Sequence, residues 1–473
     1  VFEDFDAITK SVKIINESEE DVNILRALSA NVDFKEDDFD FVHLSGAWAR
    51  ERHIVRTSLR SGMQSIESRR GASSHAQNPF MTLARKGSNE QNGDVYGFSL
   101  VYSGNFLASV EVDMYSKARA QIGINPFDFS WLLKPNESFQ TPEVVMVYSS
   151  NGLGEMSRTY HKLYRKRLCR GAYRDKTRPI LVNNWEATYF DFNADKIESI
   201  GKTAKELGIE LFVLDDGWFG KRDNDNSSLG DWVVDKNKLP NGLDDLANRI
   251  NNLDLQFGLW FEPEMVSPDS DLYRAHPDWC IHVPERHRTQ ARNQLILDLS
   301  REEVCDYIID SLTAILKSVN ISYIKWDMNR NMTEIGSPCL PPERQRETAH
   351  RYMLGLYKIY EKLTTAFPNI LFEGCSGGGG RFDAGILYYM PQIWTSDDTD
   401  AVERMFIQFG TSYGYPQSMM GAHVSAVPNE QTGRITSLDT RAAVAFLGIL
   451  GYELDITKLS SEETVEIAEQ IKF

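Results

Sequence analysis

Hydrophobic and polar positions alternate with a period of two through much of the chain before residue 150. The pattern is clearest at residues 39–44, 95–102 and 143–148, where polar residues separate aromatic and β-branched ones. Successive side chains of a strand point to opposite faces, so this alternation is typical of half-buried antiparallel strands. Turn residues such as Gly104 and Asn105 separate the strands, and the whole predicts a β-sandwich. A basic helical stretch at 156–170 follows it.

The pattern changes after Pro179, where short apolar runs alternate with helical segments. This order is typical of β-α units around a parallel sheet. Eight runs are recognisable, at residues 180–185, 210–216, 257–262, 323–327, 370–375, 392–398, 419–423 and 447–455. They predict a (β/α)8 barrel with its active site at the C-terminal strand ends. We therefore divide the chain into a partial N-terminal β-sandwich domain with a helical linker, 1–175, and a catalytic barrel, 176–473.

Charge and composition narrow the choice of partners. The 473 residues include 51 basic and 68 acidic side chains, a formal charge of −17, which disfavours nucleic acid and anionic membranes. No apolar stretch approaches the ~20 residues of a membrane helix, and no signal peptide is visible. Five widely spaced cysteines favour a reducing cytoplasm over a disulfide framework. The chain lacks an initiator Met, which suggests an excerpt or a processed form.

Acidic residues stand at the predicted C-terminal ends of the barrel strands, together with tryptophans. The acids are Asp215, Asp216, Glu262, Asp327, Glu373, Asp397 and Asp398, and the aromatic residues are Trp185, Trp218, Trp260 and Trp394. Any one such acid is more often a solvated loop residue than a functional one, but seven at equivalent positions indicate a site. Glycoside hydrolysis requires two carboxyl groups, and aromatic rings suit the apolar face of a sugar.

Three other patterns could indicate a phosphate-binding loop, a metal site and a nucleophilic cysteine, but each is a weak signal. Glycines 377–380 lack the Gly-Lys-Ser/Thr of a phosphate-binding loop, so close backbone approach to a sugar is the preferred explanation. His276, Cys280, His282 and His287 cluster in sequence but match no zinc spacing. No histidine near Cys375 is evident to activate it, so a contact near the sugar is preferred over a nucleophilic role. We therefore expect neither a metal nor another cofactor.

Five of the strand-end segments resemble signature segments of glycoside hydrolase family 36 α-galactosidases. They lie at residues 214–220, 258–264, 324–330, 373–379 and 394–400, in the family's order. Residues 73–80 of the first domain also resemble a family loop. The resemblance implies an N-terminal β-supersandwich followed by a catalytic (β/α)8 TIM barrel. It also implies that the chain starts inside the first domain and stops at the last barrel helix, without the family's C-terminal β-domain.

By this resemblance Asp327 is the nucleophile and Asp397 the general acid/base. The residues themselves are consistent with these roles. Lys325, two positions earlier on the same strand face, is expected to keep Asp327 ionised, because a nearby cation lowers the pKa of a carboxyl group. Asp397, beside Asp398 and Trp394, is expected to hold its proton through like charge and desolvation. Alternation does not decide which of the two adjacent acids is catalytic; the resemblance selects Asp397.

The resemblance also implies the substrate and the residues that bind it. Galactose contacts map onto Asp215, Asp216, Trp185, Trp260, Arg292, Lys325, Asn329, Cys375 and Gly378, with Asp215 and Asp216 at the hydroxyls on C4 and C6. The implied activity is retaining hydrolysis of terminal α-D-galactosyl residues in melibiose- and raffinose-type oligosaccharides. The family further implies a homo-tetramer of the full-length protein, in which a loop like 69–80 approaches a neighbour's active site.

Several alternatives stay open. One is an α-N-acetylgalactosaminidase or a galactosyl transferase on the same scaffold. These enzymes would differ from an α-galactosidase only in the room around C2 of the sugar and in the acceptor that they use. Lys325 at a strand end is compatible with a Schiff-base aldolase, and the row of acids with a magnesium enzyme of the enolase kind. A non-catalytic sugar-binding protein is the remaining alternative.

Overall fold

The computed structural model describes residues 1–473, and fourteen strands fall before residue 150. They are β1 Ala7–Lys10, β2 Lys13–Ile15, β3 Val22–Ile24, β4 Leu28–Phe34, β5 Phe39–Ala47, β6 Arg50–Ser58, β7 Gly62–Glu67, β8 Gln77–Arg85, β9 Val95–Val101, β10 Phe106–Val112, β11 Ala118–Ile124, β12 Trp131–Leu133, β13 Ser138–Gln140 and β14 Glu143–Ser149. A six-stranded sheet has the order β1-β14-β9-β8-β5-β6, and a four-stranded sheet the order β4-β11-β10-β7. Strands β8 and β9 pack against β10 and β11, which confirms the predicted β-sandwich.

The second part of the chain is a closed parallel barrel. Its strands are β15 Leu181–Asn183, β16 Leu211–Leu214, β17 Gln256–Phe261, β20 Tyr323–Trp326, β21 Leu371–Gly374, β22 Gln392–Trp394, β23 Met420–Ser425 and β24 Ile449–Glu453. Between the third and fourth barrel strands, β18 Met265–Val266 and β19 Leu295–Ile296 form a short antiparallel ribbon. Every one of the eight predicted apolar runs overlaps one barrel strand, so the (β/α)8 prediction is confirmed.

Eleven α-helices complete the fold. They are α1 Gly152–Leu163, α2 Trp185–Thr188, α3 Ala194–Leu207, α4 Leu243–Asn251, α5 Asp271–Ala275, α6 Glu302–Ser318, α7 Thr348–Ala366, α8 Ala384–Tyr389, α9 Ala401–Thr411, α10 Leu438–Ala445 and α11 Ser461–Lys472. Helix α1 packs on β14 and β9 and overlaps the helix predicted at 156–170. The domain boundary near residue 175 stays a prediction.

Local sequence signals explain where the helices begin and end. The side chain of Asn193 accepts a hydrogen bond from the backbone N–H of Lys196 at the start of α3, and Gly208 adopts the left-handed conformation after its end. Ser460 and Glu463 form a capping box at the start of α11. No helix has both the length and the apolar character needed to cross a membrane.

The sandwich domain packs directly against the barrel. The Ser73 hydroxyl donates a hydrogen bond to the Asp383 carboxylate at 2.8 Å, and His75 Nε2 lies 2.5 Å from the carbonyl oxygen of Gly377. The segment predicted to reach a neighbour's active site, 69–80, thus contacts the barrel of its own chain. Its role towards another subunit stays a prediction.

Candidate active site

A cavity of about 580 Å³ opens at the C-terminal ends of the barrel strands. Nine of the eleven residues that the sequence predicted line it: Trp185, Asp215, Asp216, Trp260, Arg292, Lys325, Asp327, Asn329 and Asp397. Cys375 and Gly378 lie outside the lining. The barrel thus brings together side chains that are far apart along the chain, as its strand order requires.

Asp327 follows the fourth barrel strand and is held by four hydrogen bonds. Its Oδ2 accepts from Trp260 Nε1 at 3.2 Å and from Asn329 Nδ2 at 2.8 Å. Its Oδ1 accepts from the backbone N–H groups of Met328 at 2.8 Å and Gly377 at 3.2 Å. Donors to both oxygens stabilise the ionised form and fix the direction of the carboxylate.

The charges around Asp327 keep it ionised. Burial by itself raises the pKa of a carboxyl group, but the cations of Lys325 and Arg292 outweigh burial and hold the pKa of Asp327 below its usual range. The direct partner of Lys325 is Asp215, whose Oδ2 lies 2.9 Å from the Lys325 Nζ. Lys325 therefore acts on Asp327 as predicted, but through space and not through an ion pair.

Asp397 follows the sixth barrel strand, and its pKa is shifted in the opposite direction from that of Asp327. Burial and the negative charge of Asp327 raise the pKa of Asp397 to about 6. The sequence predicted that this like charge is that of the neighbouring Asp398, which is wrong: the charge that acts on Asp397 is that of Asp327. Asp398 Oδ1 accepts a hydrogen bond from the Asp400 backbone N–H at 2.9 Å. Asp397 Oδ2 accepts from Trp48 Nε1 at 2.9 Å, a contact that comes from the sandwich domain.

The two adjacent acids of the second strand end are paired differently. Asp215 Oδ2 accepts from Asn183 Nδ2 at 2.6 Å and from the Lys325 ammonium. Asp216 is clamped by Arg222, whose Nε and Nη2 lie 3.0 and 2.9 Å from the two carboxylate oxygens. Burial raises the pKa of Asp216 while Arg222 opposes it. Both acids are buried acceptors in the cavity wall.

Lys325 is unsuited to Schiff-base chemistry. A neutral amine is needed to attack a carbonyl carbon. Although burial opposes it, the Asp215 carboxylate raises the pKa of Lys325 well above its usual value, so the side chain stays an ammonium group. The aldolase alternative therefore loses its nucleophile.

Cys375 and Gly378, which the sequence predicted as sugar contacts, do not line the cavity but contact Asp327 and the backbone of Asp397. The Cys375 thiol contacts the Asp327 carboxylate, and burial raises the thiol pKa well above its usual value, so the sulfur is not a thiolate. Gly378 has a φ of +78°, and a Cβ there would lie 2.5 Å from the Asp397 backbone nitrogen and 2.9 Å from Glu51 Oε1. Only glycine permits this close approach of the chain behind Asp397.

Some acids and metal candidates from the sequence have other partners. Glu262 accepts hydrogen bonds from Gln294 and from the Asn329 backbone, and Glu373 accepts from Gln392. Both therefore support the wall without lining the cavity. The His276 ring stacks on Trp279 at 3.9 Å between centroids. No group of three or more His, Cys, Asp or Glu side chains has the arrangement of a metal site.

Sequence reasoning missed part of the lining. The additional residues are Trp48, Ala49, Glu186, Trp394, Asp398, Thr399, Glu430, Gln431 and Glu453, of which only Trp394 and Asp398 had drawn attention as strand-end residues. Glu453 ends the eighth strand and was detectable by the same rule as the other acids. Trp48 was not detectable, since it lies 349 positions before Asp397 in a different domain.

Fold and site together define a class of protein. A (β/α)8 barrel with two carboxyl groups of opposite pKa shift, among tryptophans at the C-terminal face, has the architecture of a barrel glycoside hydrolase. The family models are specific: "Melibiase" matches residues 138–473, and "Glycosyl hydrolase family 36 N-terminal domain" matches residues 1–134. The chain belongs to glycoside hydrolase family 36.

Known relatives agree with this assignment. The chain is 65% identical over 472 residues to alpha-galactosidase AgaA of Geobacillus stearothermophilus, covering 100% of this chain and 65% of AgaA. It is 53% identical to alpha-galactosidase 1 of Pediococcus pentosaceus, covering 100% of this chain and 64% of that protein. A crystal structure of an AgaA variant in complex with raffinose matches with a TM-score of 0.98 and 65% identity over 99% of this chain and 65% of that one. The chain thus spans just under two thirds of the length of these relatives.

Proposed function

We propose that this protein is a retaining α-galactosidase that hydrolyses terminal α-D-galactosyl residues of melibiose- and raffinose-type oligosaccharides. The observation that carries the proposal is the pair Asp327 and Asp397 in one cavity, with the pKa of the first lowered and that of the second raised to about 6. One carboxylate and one carboxylic acid are what the first step of retaining hydrolysis needs.

The proposed reaction has two displacement steps. The Asp327 carboxylate attacks the anomeric carbon, the C1–O bond breaks, and Asp397 gives its proton to the departing oxygen. Asp397, now ionised, then takes a proton from water, whose oxygen attacks the anomeric carbon and releases Asp327. The second step restores both carboxyl groups to their starting protonation states, and no metal or cofactor enters the balance.

Galactose recognition is assigned to the acids of the second strand end. Asp215 and Asp216 are buried acceptors for hydroxyl protons, and Lys325 is a buried donor in contact with Asp215. Axial O4 distinguishes galactose from glucose, and a buried polar group left without its hydroxyl partner penalises the wrong sugar. Trp185, Trp260, Arg292 and Asn329 complete the proposed sugar site. Cys375 and Gly378 act in it through Asp327 and Asp397.

The substrate class is supported by the relatives. Relatives that are 65% and 53% identical to this chain are named as α-galactosidases, and solved structures of AgaA variants hold raffinose and stachyose. The proposal extends to a cytoplasmic location, supported by five free cysteines. It also extends to a homo-tetramer of the full-length protein, for which exposed Phe406 and Phe409 on α9 supply apolar surface.

The test is turnover of the chain as it stands. Hydrolysis of p-nitrophenyl α-galactoside, with α-galactose as the first product by NMR, is expected. Asp327→Asn is expected to lose at least about a thousandfold in kcat. Asp244→Asn makes the same chemical change at an exposed position of α4 and serves as the matched control. β-Galactose as the first product would contradict retention. If the protein hydrolysed the aryl α-N-acetylgalactosaminide faster than the aryl α-galactoside, it would be assigned as an α-N-acetylgalactosaminidase instead.

A further inference from the structure

The turn between β5 and β6 brings two buried charged residues of the sandwich domain onto the barrel. Trp48 and Ala49 form the tip of this hairpin, and Glu51 and Arg52 follow in β6 with 0% and 3% of their surface exposed. Burying a charge is costly unless it is paired and hydrogen-bonded. The partners of both side chains lie on the barrel, next to the segment that carries Asp397.

Arg52 uses its three nitrogens on three barrel groups. Its Nε donates to the Thr411 hydroxyl and its Nη1 to the Gly379 carbonyl oxygen, both at 2.7 Å, while its Nη2 donates to the Thr395 carbonyl oxygen. A planar guanidinium with all nitrogens engaged has little freedom to move. Arg52 therefore fixes the two chain segments at Gly379 and Thr395 relative to each other.

Glu51 bridges the same two segments. Its Oε2 accepts from the Ser396 hydroxyl at 2.5 Å, and its Oε1 accepts from the Gly379 backbone N–H at 3.3 Å. Burial lowers the pKa of Arg52 and of Arg404 to about 10, and the negative charge of Glu51 opposes this in both. Glu51 thus helps to keep two buried guanidinium groups charged.

Arg404 of α9 holds the other side of Asp397. Its Nη2 donates to the Ser396 carbonyl oxygen at 2.9 Å and its Nε to the Asp398 carbonyl oxygen at 2.6 Å. Two buried guanidinium groups therefore hold the backbone around Asp397: Arg52 donates to the carbonyl oxygen of residue 395, and Arg404 donates to those of residues 396 and 398. The position of the Asp397 backbone depends on one cation from the barrel and one from the sandwich domain.

The backbone is adapted to this contact. Arg52 has a φ of +54°, in the left-handed region that side chains other than glycine rarely adopt. A Cβ on Gly410 would lie 1.9 Å from the Arg52 carbonyl oxygen, and one on Gly379 would lie 2.5 Å from Arg52 Nη1. A strained residue and two obligatory glycines at one contact indicate a specifically shaped interface.

We propose that Glu51 and Arg52 are positioning residues, through which the sandwich domain aims the Asp397 carboxyl group at the glycosidic oxygen. This inference rests on the proposed function. Misplacing the acid affects a substrate in proportion to its need for a proton. Raffinose, whose leaving group is an alkoxide, depends strongly on that proton. α-Galactosyl fluoride, whose fluoride departs with little protonation, depends on it weakly.

The experiment compares these two substrates in three variants of the full chain. In Glu51→Gln and Arg52→Lys, kcat/KM on raffinose is expected to fall roughly 10- to 100-fold, with less than about a threefold change in kcat/KM on α-galactosyl fluoride, because kcat/KM reports the first step, in which Asp397 acts as the acid. Asn78→Ala is the matched control, because buried Asn78 also donates from the sandwich domain to the barrel, at the Phe382 carbonyl oxygen 2.8 Å away, but does not touch 395–398. Its two rates are expected to change by the same factor.

The outcomes separate the inference from the proposed function. Equal losses on both substrates, as in the control, would overturn the positioning role while leaving the α-galactosidase proposal intact. If Glu51→Gln does not fold, Ser396→Ala removes the hydroxyl that Glu51 accepts from and is measured in the same way. Absence of turnover of both substrates by the unmodified chain would refute the proposed function, and the inference with it.

Discussion

The opposite pKa shifts of the two carboxyl groups predict how turnover depends on pH. Asp327 must be ionised, and its pKa lies below the usual 3.8, so this requirement is met above about pH 5. Asp397 must be protonated, and its pKa is about 6, so this requirement is lost as the pH rises through 6. Activity is therefore expected to be highest near pH 5 and to fall on the alkaline side.

The size of the fall follows from the same value. At pH 8, two units above the pKa of Asp397, about one hundredth of the free enzyme carries the proton, so kcat/KM falls roughly 100-fold from its value at pH 5. Trp48→Phe removes the indole N–H that donates to Asp397 Oδ2 at 2.9 Å and stabilises its charged form. Losing this hydrogen bond is expected to raise the pKa of Asp397 by up to about one unit, so the alkaline limb of the pH profile shifts to higher pH by the same amount.

The assay is kcat/KM for raffinose, whose alkoxide leaving group needs the Asp397 proton, between pH 3 and 9 at constant ionic strength. kcat/KM reports the pKa values of the free enzyme, which are those the structure addresses. α-Galactosyl fluoride serves as the control substrate, and its alkaline limb is expected to be much shallower. A profile that stays flat to pH 8, or an alkaline limb that moves down in Trp48→Phe, would refute the reasoning.

Further predictions concern the individual carboxyl groups. With azide, Asp327→Ala is expected to give β-galactosyl azide and Asp397→Ala the α anomer, because the anion enters from the face that each acid vacates; swapped products by NMR would reverse the two roles. Asp216→Asn is expected to lower kcat/KM about 100-fold, and also to lower Tm, because it keeps one acceptor beside Arg222 but leaves this buried guanidinium without its counter-charge; an unchanged kcat/KM in the folded variant would remove Asp216 from the sugar site. Arg222→Met leaves the Asp216 carboxylate buried without its cation, and denaturant unfolding is expected to report a loss of about 3–5 kcal/mol.

The order of elements and the location of the site were readable from the sequence. A strand in a parallel barrel is apolar along its length and turns polar where it meets the C-terminal face, so each apolar run ending in an acid marks both a strand and a wall residue. That rule placed Asp215, Asp327 and Asp397 in one cavity without any structure. The rule could not predict the hydrogen-bond and ion-pair partners of these acids, because contacts between distant segments leave no local pattern in the sequence.

The tertiary structure alone decided the electrostatics and the contribution of the first domain. Lys325 pairs with Asp215 and not with Asp327, and the charge that raises the pKa of Asp397 comes from across the cavity and not from its neighbour Asp398. Adjacent residues in an extended chain point in different directions, whereas strand ends of a closed barrel face one another. Trp48 and Glu51 reach the site from a β-hairpin whose alternating sequence is that of an ordinary strand pair. The sequence determines that such a hairpin forms, but only the packing of sandwich on barrel decides that its tip meets Asp397.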